Sequence, residues 1–340
     1  MRNQQCRNRT QGRLRLLTPA ALFIVVMGLL TDNSAAVPAP QGRVVAGSAS
    51  ISYVHGDSSS PDLLITQTSP KAVIDWSNFN VKELEVVRFE PRNAKSITLN
   101  EISGPASTIF GTVFSNGQLW FINPNGFIIG GPGYTSGGSI NAMGVLLSTA
   151  IIPDATGTGF YRNNTGNYRF VSQIVNPDSP PAVIDMNRYS SIGSNATEYV
   201  VVQSQGINMN NSTIVTGEGG PGCTGCNIAF GIGRSFSASF VSADFYGDGL
   251  VSYAVTAPVA QKLSQVNSSL SINDSRFLSD GSITITANVD KNAILDHVIN
   301  LGGDYYDTNG TYPNAAAGNN TFNFESQLGS NLPTISVTTN

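Results

Sequence analysis

Residues 116–130, NGQLWFINPNGFIIG, leave few folds open, because two apolar runs too short for helices flank four residues that regular structure rejects. Pro124 fixes its own φ, Asn125 tolerates bridge or left-handed backbone, and Gly126 accepts whatever dihedrals remain. Asn123-Pro124-Asn125-Gly126 is therefore a tight turn between strands. Asn116-Gly117, just upstream, reads as a second turn of the hairpin type. Short strands closed by breakers recur along the chain. Residues 44–54, 62–68, 72–81, 85–90 and 96–102 are rich in β-branched and aromatic side chains, and Gly56, Pro61, Pro70, Pro91 and Gly104 fall at their boundaries. Residues 257–266 are the one sizeable stretch compatible with a helix, and an all-β class follows.

A faint repeat bears on which all-β architecture. YVVVQSQGINM (199–209) and SLSINDSRFLSDGSITITANV (269–289) share an apolar residue before Asn, and Ile207-Asn208 and Ile272-Asn273 stand 65 positions apart. Three turns of roughly 22 residues span that distance, a period that marks solenoids. Stacked rungs would bury Ile207, Ile214, Ile272 and Ile283 and set the many Asn, Ser and Thr residues in ladders at the turns. A sandwich or jelly roll is the alternative, but it needs hairpin and Greek-key signals throughout, not mainly around Asn116 and Asn125.

Arg2, Arg7, Arg9, Arg13 and Arg15 precede the apolar run 16–30, and Ser34-Ala35-Ala36 offers small residues for cleavage, so residues 1–36 read as a signal peptide. Losing them removes five arginines and Asp32 and takes the formal charge from −4 to −8. An acidic surface on a chain with 12% charged residues argues against nucleic acid, which needs a basic patch. Cys223 and Cys226 remain after the signal, and in an exported chain they either close a small loop disulfide or stay as free thiols. Zinc would need two further ligands, and His55 and His297, the only histidines, lack ligand spacing, so no metal or cofactor is expected.

No nucleophile constellation is present, and the Gly-rich GPGYTSGG (131–138) has no lysine to reach a phosphate, so the chain does not read as an enzyme. The catalytic rival is a polysaccharide-active β-helix using Asp244 with Asp248, or Asp304 with Asp307 beside Tyr305 and Tyr306. As acids beside glycines, both pairs read first as turns. The Asn-x-Ser/Thr sites at Asn163, Asn195, Asn210, Asn211, Asn267, Asn273, Asn309 and Asn319 read likewise as turn and ladder residues.

The NPNG turn resembles the signature of the secretion domain of filamentous haemagglutinin-like exoproteins, the cargo half of two-partner secretion systems. VVAGSASIS, LLITQTSPKAVIDWSNFNV, VVRFEP, LNEISGPASTIFGTV, NGQLWFINPNGFIIG and MGVLLSTA recur here in that family's order, over about residues 44–150. The likeness is looser downstream, and Asn176-Pro177-Asp178 only approximates the family's second Asn-Pro-Asn turn.

The resemblance implies a right-handed parallel β-helix, or solenoid, with an N-terminal antiparallel cap over its open end. Trp76, Phe79, Trp120, Phe121 and Phe127 are expected beneath that cap. It also implies a secretion domain at 37–300 and a C-terminal tail at 301–340, a short or truncated passenger. The expected function is that of a noncatalytic cargo, secreted or held at the cell surface after crossing the periplasm. Its partner is a cognate outer-membrane β-barrel transporter, with Asn123, Pro124, Asn125 and Gly126 as the secretion motif. An adhesin or haemagglutinin-like role toward host-cell or surface glycans, and a monomeric state, complete the expectation. A surface-retained structural or competitor module is a further reading.

Overall fold

The computed structural model describes residues 40–55, 61–131, 137–173, 182–217, 227–240, 250–257, 270–273, 275–279, 283–289, 299–301 and 334–339, and every regular element among them is a strand. The chain enters through β1 (Gln41–Ala46) and β2 (Ala49–His55), then β3 (Pro61–Gln67), β4 (Lys71–Asn78) and β5 (Val86–Pro91). Two three-sided rungs follow, β6 (Ile97–Ile102), β7 (Ser107–Ile109) and β8 (Thr112–Ser115), then β9 (Gln118–Ile122), β10 (Phe127–Ile129) and β11 (Ser139–Asn141). After β12 (Gly144–Ser148) comes an excursion that carries β13 (Asn167–Val171), and the rung closes with β14 (Val183–Asn187) and β15 (Ser191–Gly193). The next rung is β16 (Tyr199–Ser204), β17 (Gly206–Asn210) and β18 (Thr213–Thr216). A second excursion, β20 (Ser235–Phe240) and β21 (Leu250–Ala257), separates β19 (Asn227–Ile232) from β22 (Leu270–Asn273) and β23 (Arg276–Ser279). The last strands are β24 (Ile283–Val289), β25 (Ile299–Leu301) and β26 (Thr334–Thr339).

Three sheets make the sides of the coil. Sheet A runs β1-β4-β6-β9-β12-β16-β19-β24-β26, sheet B β2-β3-β5-β8-β11-β15-β18-β23, and sheet C β7-β10-β14-β17-β22-β25. Their pairings are parallel except at the N-terminal end, where β1 runs antiparallel to β4 and β2 to β3. The fold is a parallel β-helix with an antiparallel cap, as the resemblance implies. Each strand hands the chain to the next side and pairs with its equivalent one rung away, so the coil itself supplies the crossover that parallel strands require.

Because the register is preserved, like residues stack in columns. Val113, Ile140, Ile192, Ile214 and Phe277 form one inward column on sheet B, and Phe121, Leu147, Val202, Phe230 and Ile285 form another on sheet A. Ile207, Ile214 and Ile272 lie inside as expected; Ile283 pairs with the inward Ile228, and its side chain is outside the described set. That column on sheet A is interrupted by a polar residue. Asn100 is fully buried between Ile74 and Phe121, where its Oδ1 accepts from Trp76 Nε1 at 2.9 Å and its Nδ2 donates to the Trp120 carbonyl at 3.2 Å.

Sheet A is also buried on its outer face along β9, β12 and β16. Strands β13, β20 and β21 form an antiparallel sheet of their own, which we call the strap. With the turn at 153–163 it covers Val73, Ile97, Leu99, Trp120, Leu146, Tyr199 and Val201, joined by Phe160, Tyr168, Phe170, Phe236 and Phe240 in a second core.

Four expectations change. The stretch 44–54 is two strands, since β1 belongs to sheet A and β2 to sheet B and the chain must turn a corner between them. Asn116-Gly117 is likewise a corner between sheets B and A, because β8 and β9 never pair. Ile207 and Ile272 are one rung apart rather than three, with Ile272 opposite Met209, because the excursion through β20 and β21 lengthens that turn. Trp120 alone among the five expected aromatics lies outside the coil interior, since it alternates with Phe121 along β9 and packs 4.7 Å from Tyr168 under the strap.

Candidate functional site

Residues 123–126 carry the chain from sheet A to sheet C between β9 and β10. Asn123 is fully buried, and its side chain serves as both acceptor and donor. Oδ1 accepts from the Asn125 N–H at 2.9 Å, closing an Asx turn, while Nδ2 donates to the Pro105 carbonyl at 2.9 Å and to Ser107 Oγ at 3.0 Å. Its backbone N–H reaches the Ser148 carbonyl on the next rung at 2.9 Å. Asn123 therefore joins three successive rungs at one corner. Asn125 is exposed and donates Nδ2 to the Gly104 carbonyl at 2.8 Å. Gly126 sits at φ +99°, and a Cβ there would run into the Val183 carbonyl of the rung above, so only glycine fits. The corner presents Asn125 and the half-exposed Pro124 outward and hides the other two residues.

The partners of this turn escaped the sequence reading. Gly104, Pro105 and Ser107 form the equivalent corner one rung earlier, with Ser107 in register with Phe127. A Gly-Pro pair twenty positions before the Pro124 turn was the available signal. Just before that corner, Glu101 stands opposite Asp75 on adjacent parallel strands, and Asp75 stands opposite Arg43 of the cap strand β1 at 3.4 Å. Burial, with the nearby Asp75 charge adding to it, pushes the Glu101 carboxyl up to about 7.

Cys223, Cys226, Asp244, Asp248, Asp304, Asp307, His297, the approximate turn at 176–178, residues 258–266 and the segment 1–36 lie outside the described residues, as does the side chain of His55. Among the described residues no group of three or more His, Cys, Asp or Glu is placed to hold a metal ion.

The sequence matches the TPS secretion domain over residues 36–328. Among curated relatives, a heme/hemopexin-binding protein of Haemophilus influenzae strain Rd is 31% identical over 153 residues, which is 43% of this chain and 16% of that one. Another heme/hemopexin-binding protein of Haemophilus influenzae is 35% identical over 135 residues, 38% of this chain and 14% of that protein. The matched region is thus a small part of those relatives' length. The crystal structure of the HMW1 secretion domain from Haemophilus influenzae superposes with a TM-score of 0.53 at 20% identity, over 78% of this chain and 65% of that one, a likeness of fold. Since the matched span takes in most of the sequence, the chain belongs to the TPS secretion domain family, the domain carried by the cargo proteins of two-partner secretion.

Proposed function

We propose that this domain directs the export of an adhesin-type, noncatalytic cargo protein through a cognate outer-membrane β-barrel transporter, by way of the periplasm, and that residues 123–126 are the element on which export depends. The observation that supports this is the buried Asn123, whose hydrogen bonds tie its own rung to the rungs on either side. A corner so placed sets the register of the first rungs, and a transporter that accepts a folding chain at its exit needs that register early. On this reading 37–300 is the exported domain, 301–340 its tail, and glycans at the host or bacterial surface the class of ligand. Cys223 and Cys226, which an oxidising compartment would join, form a loop disulfide that mass spectrometry before and after reduction would detect.

The experiment is co-expression of the wild type, Asn123→Ala and Asn125→Ala with the transporter, comparing extracellular with periplasmic protein. Asn123→Ala leaves the Pro105 carbonyl, the Ser107 hydroxyl and the Asn125 N–H without their partner, a cost of about 2–4 kcal/mol, and should lose most export. Asn125→Ala removes one exposed bond, about 0.5–1 kcal/mol, and should lower export less. Equal export of all three would remove the corner from the mechanism. Export without the transporter would overturn the two-partner reading.

A further inference from the structure

Lys71, the first residue of β4, is 6% exposed, and among the described residues no carboxylate forms an ion pair with it. Its Nζ donates to the Asn163 carbonyl at 2.6 Å, to Tyr168 Oη at 2.9 Å and to the Phe160 carbonyl at 3.2 Å, and it lies over the Phe160 and Tyr168 rings at 5.2 and 5.3 Å. All of these groups belong to the first excursion, up to 97 positions along the chain. An ammonium has three donors, and here all are used, with two π-faces adding to the attraction.

Among the described residues no strap strand pairs with a strand of the coil's sheets; the strap rests on sheet A through apolar packing and a few polar ties. Such ties occur at Lys71, at Gln203, whose Oε1 accepts from Tyr253 Oη at 3.1 Å, and at Asn227, whose Nδ2 donates to the Leu250 carbonyl at 2.7 Å. Of these, Lys71 lies furthest toward the N-terminal end. Burial under the closed strap pushes the Lys71 ammonium down to about 8.

We propose that the strap is a separately closing element, latched at its N-terminal end by Lys71, whose opening uncovers an apolar stripe of Val73, Leu99, Trp120 and Leu146 while the coil stays intact. Stacked rungs contact mainly their neighbours, so the inner column does not require the outer one to form, and the strap is the part free to open as a unit.

Hydrogen exchange on the full chain, comparing the wild type with Lys71→Met and Tyr168→Phe, tests this. Lys71→Met keeps the apolar stem and removes the three donors. Amides of β13 and β20 should exchange ten- to a hundredfold faster in Lys71→Met and several-fold faster in Tyr168→Phe, with those of β9, β12 and β16 unchanged. Lys71→Met should also bind an apolar-surface dye with no loss of far-ultraviolet strand signal. Equal acceleration across strap and coil would overturn the proposal by making them one cooperative unit, and unchanged exchange in both variants would show that apolar packing alone holds the strap. If Lys71→Met fails to fold, the Tyr168→Phe pattern decides by the same criterion.

Discussion

Glu101 keeps its proton to about pH 7, against an ordinary value of 4.5, because burial and then the Asp75 charge disfavour its ionised form. The folded chain therefore binds that proton more tightly than the unfolded chain does. Between about pH 4.5 and 7, stability should fall as pH rises, and below that window the penalty is absent. The carboxyl is only partly buried, so screening reduces the effect to about 1–2 kcal/mol. Glu101→Gln should flatten urea midpoints across that window and leave the variant more stable than the wild type at pH 7.5. An unchanged slope would show that the carboxyl is solvated. Asn123 and Asn125 separate on the same grounds, since the buried Asn123 side chain both accepts and donates, whereas the exposed Asn125 side chain only donates, to the Gly104 carbonyl.

Among the elements, some strand ends were the legible part: Pro61 and Pro70 mark the starts of β3 and β4, and Pro91 and Gly104 the ends of β5 and β6, to within a residue or two. The strap was not legible, although a signal for it existed. Every residue of β9, β12 and β16 is buried, a pattern that means cover on both faces, whereas β5 alternates as a half-exposed strand should. Its strands are remote in sequence from the face they cover, so local pattern could not identify the cover. The candidate corner was legible as a turn, but its hydrogen-bond partners lie on other rungs. Gly144 shows the cost of the second core. The Tyr199 ring lies flat over it, so that Oη donates to Gln118 Oε1 at 2.6 Å and accepts from Trp120 Nε1 at 2.7 Å. Gly144→Ala would lift the ring and leave the buried indole N–H without that acceptor, at about 2–4 kcal/mol. Thermal unfolding should show the loss, and Tyr199→Phe in the same background should add little further.

Over the whole molecule, columns of like residues make stability a matter of neighbouring rungs. Ile192 sits between Ile140 and Ile214, and Ile192→Ala should cost about 2–5 kcal/mol by leaving a cavity the stack cannot close, read from the urea midpoint. The repeat itself was hard to see because excursions stretch two turns of the coil. Tyr199 carries a different consequence. A coil of equivalent rungs can lengthen by duplication, but Tyr199 on β16 fastens to Gln118 on β9 across β12, two strand spacings of about 4.8 Å each. One duplicated rung inserted inside that span would add a third spacing and put the phenol out of reach. Gene duplication is therefore free to extend this molecule beyond β19 but not between β9 and β16, and its N-terminal rungs should be fixed in number while the remainder of the coil varies in length.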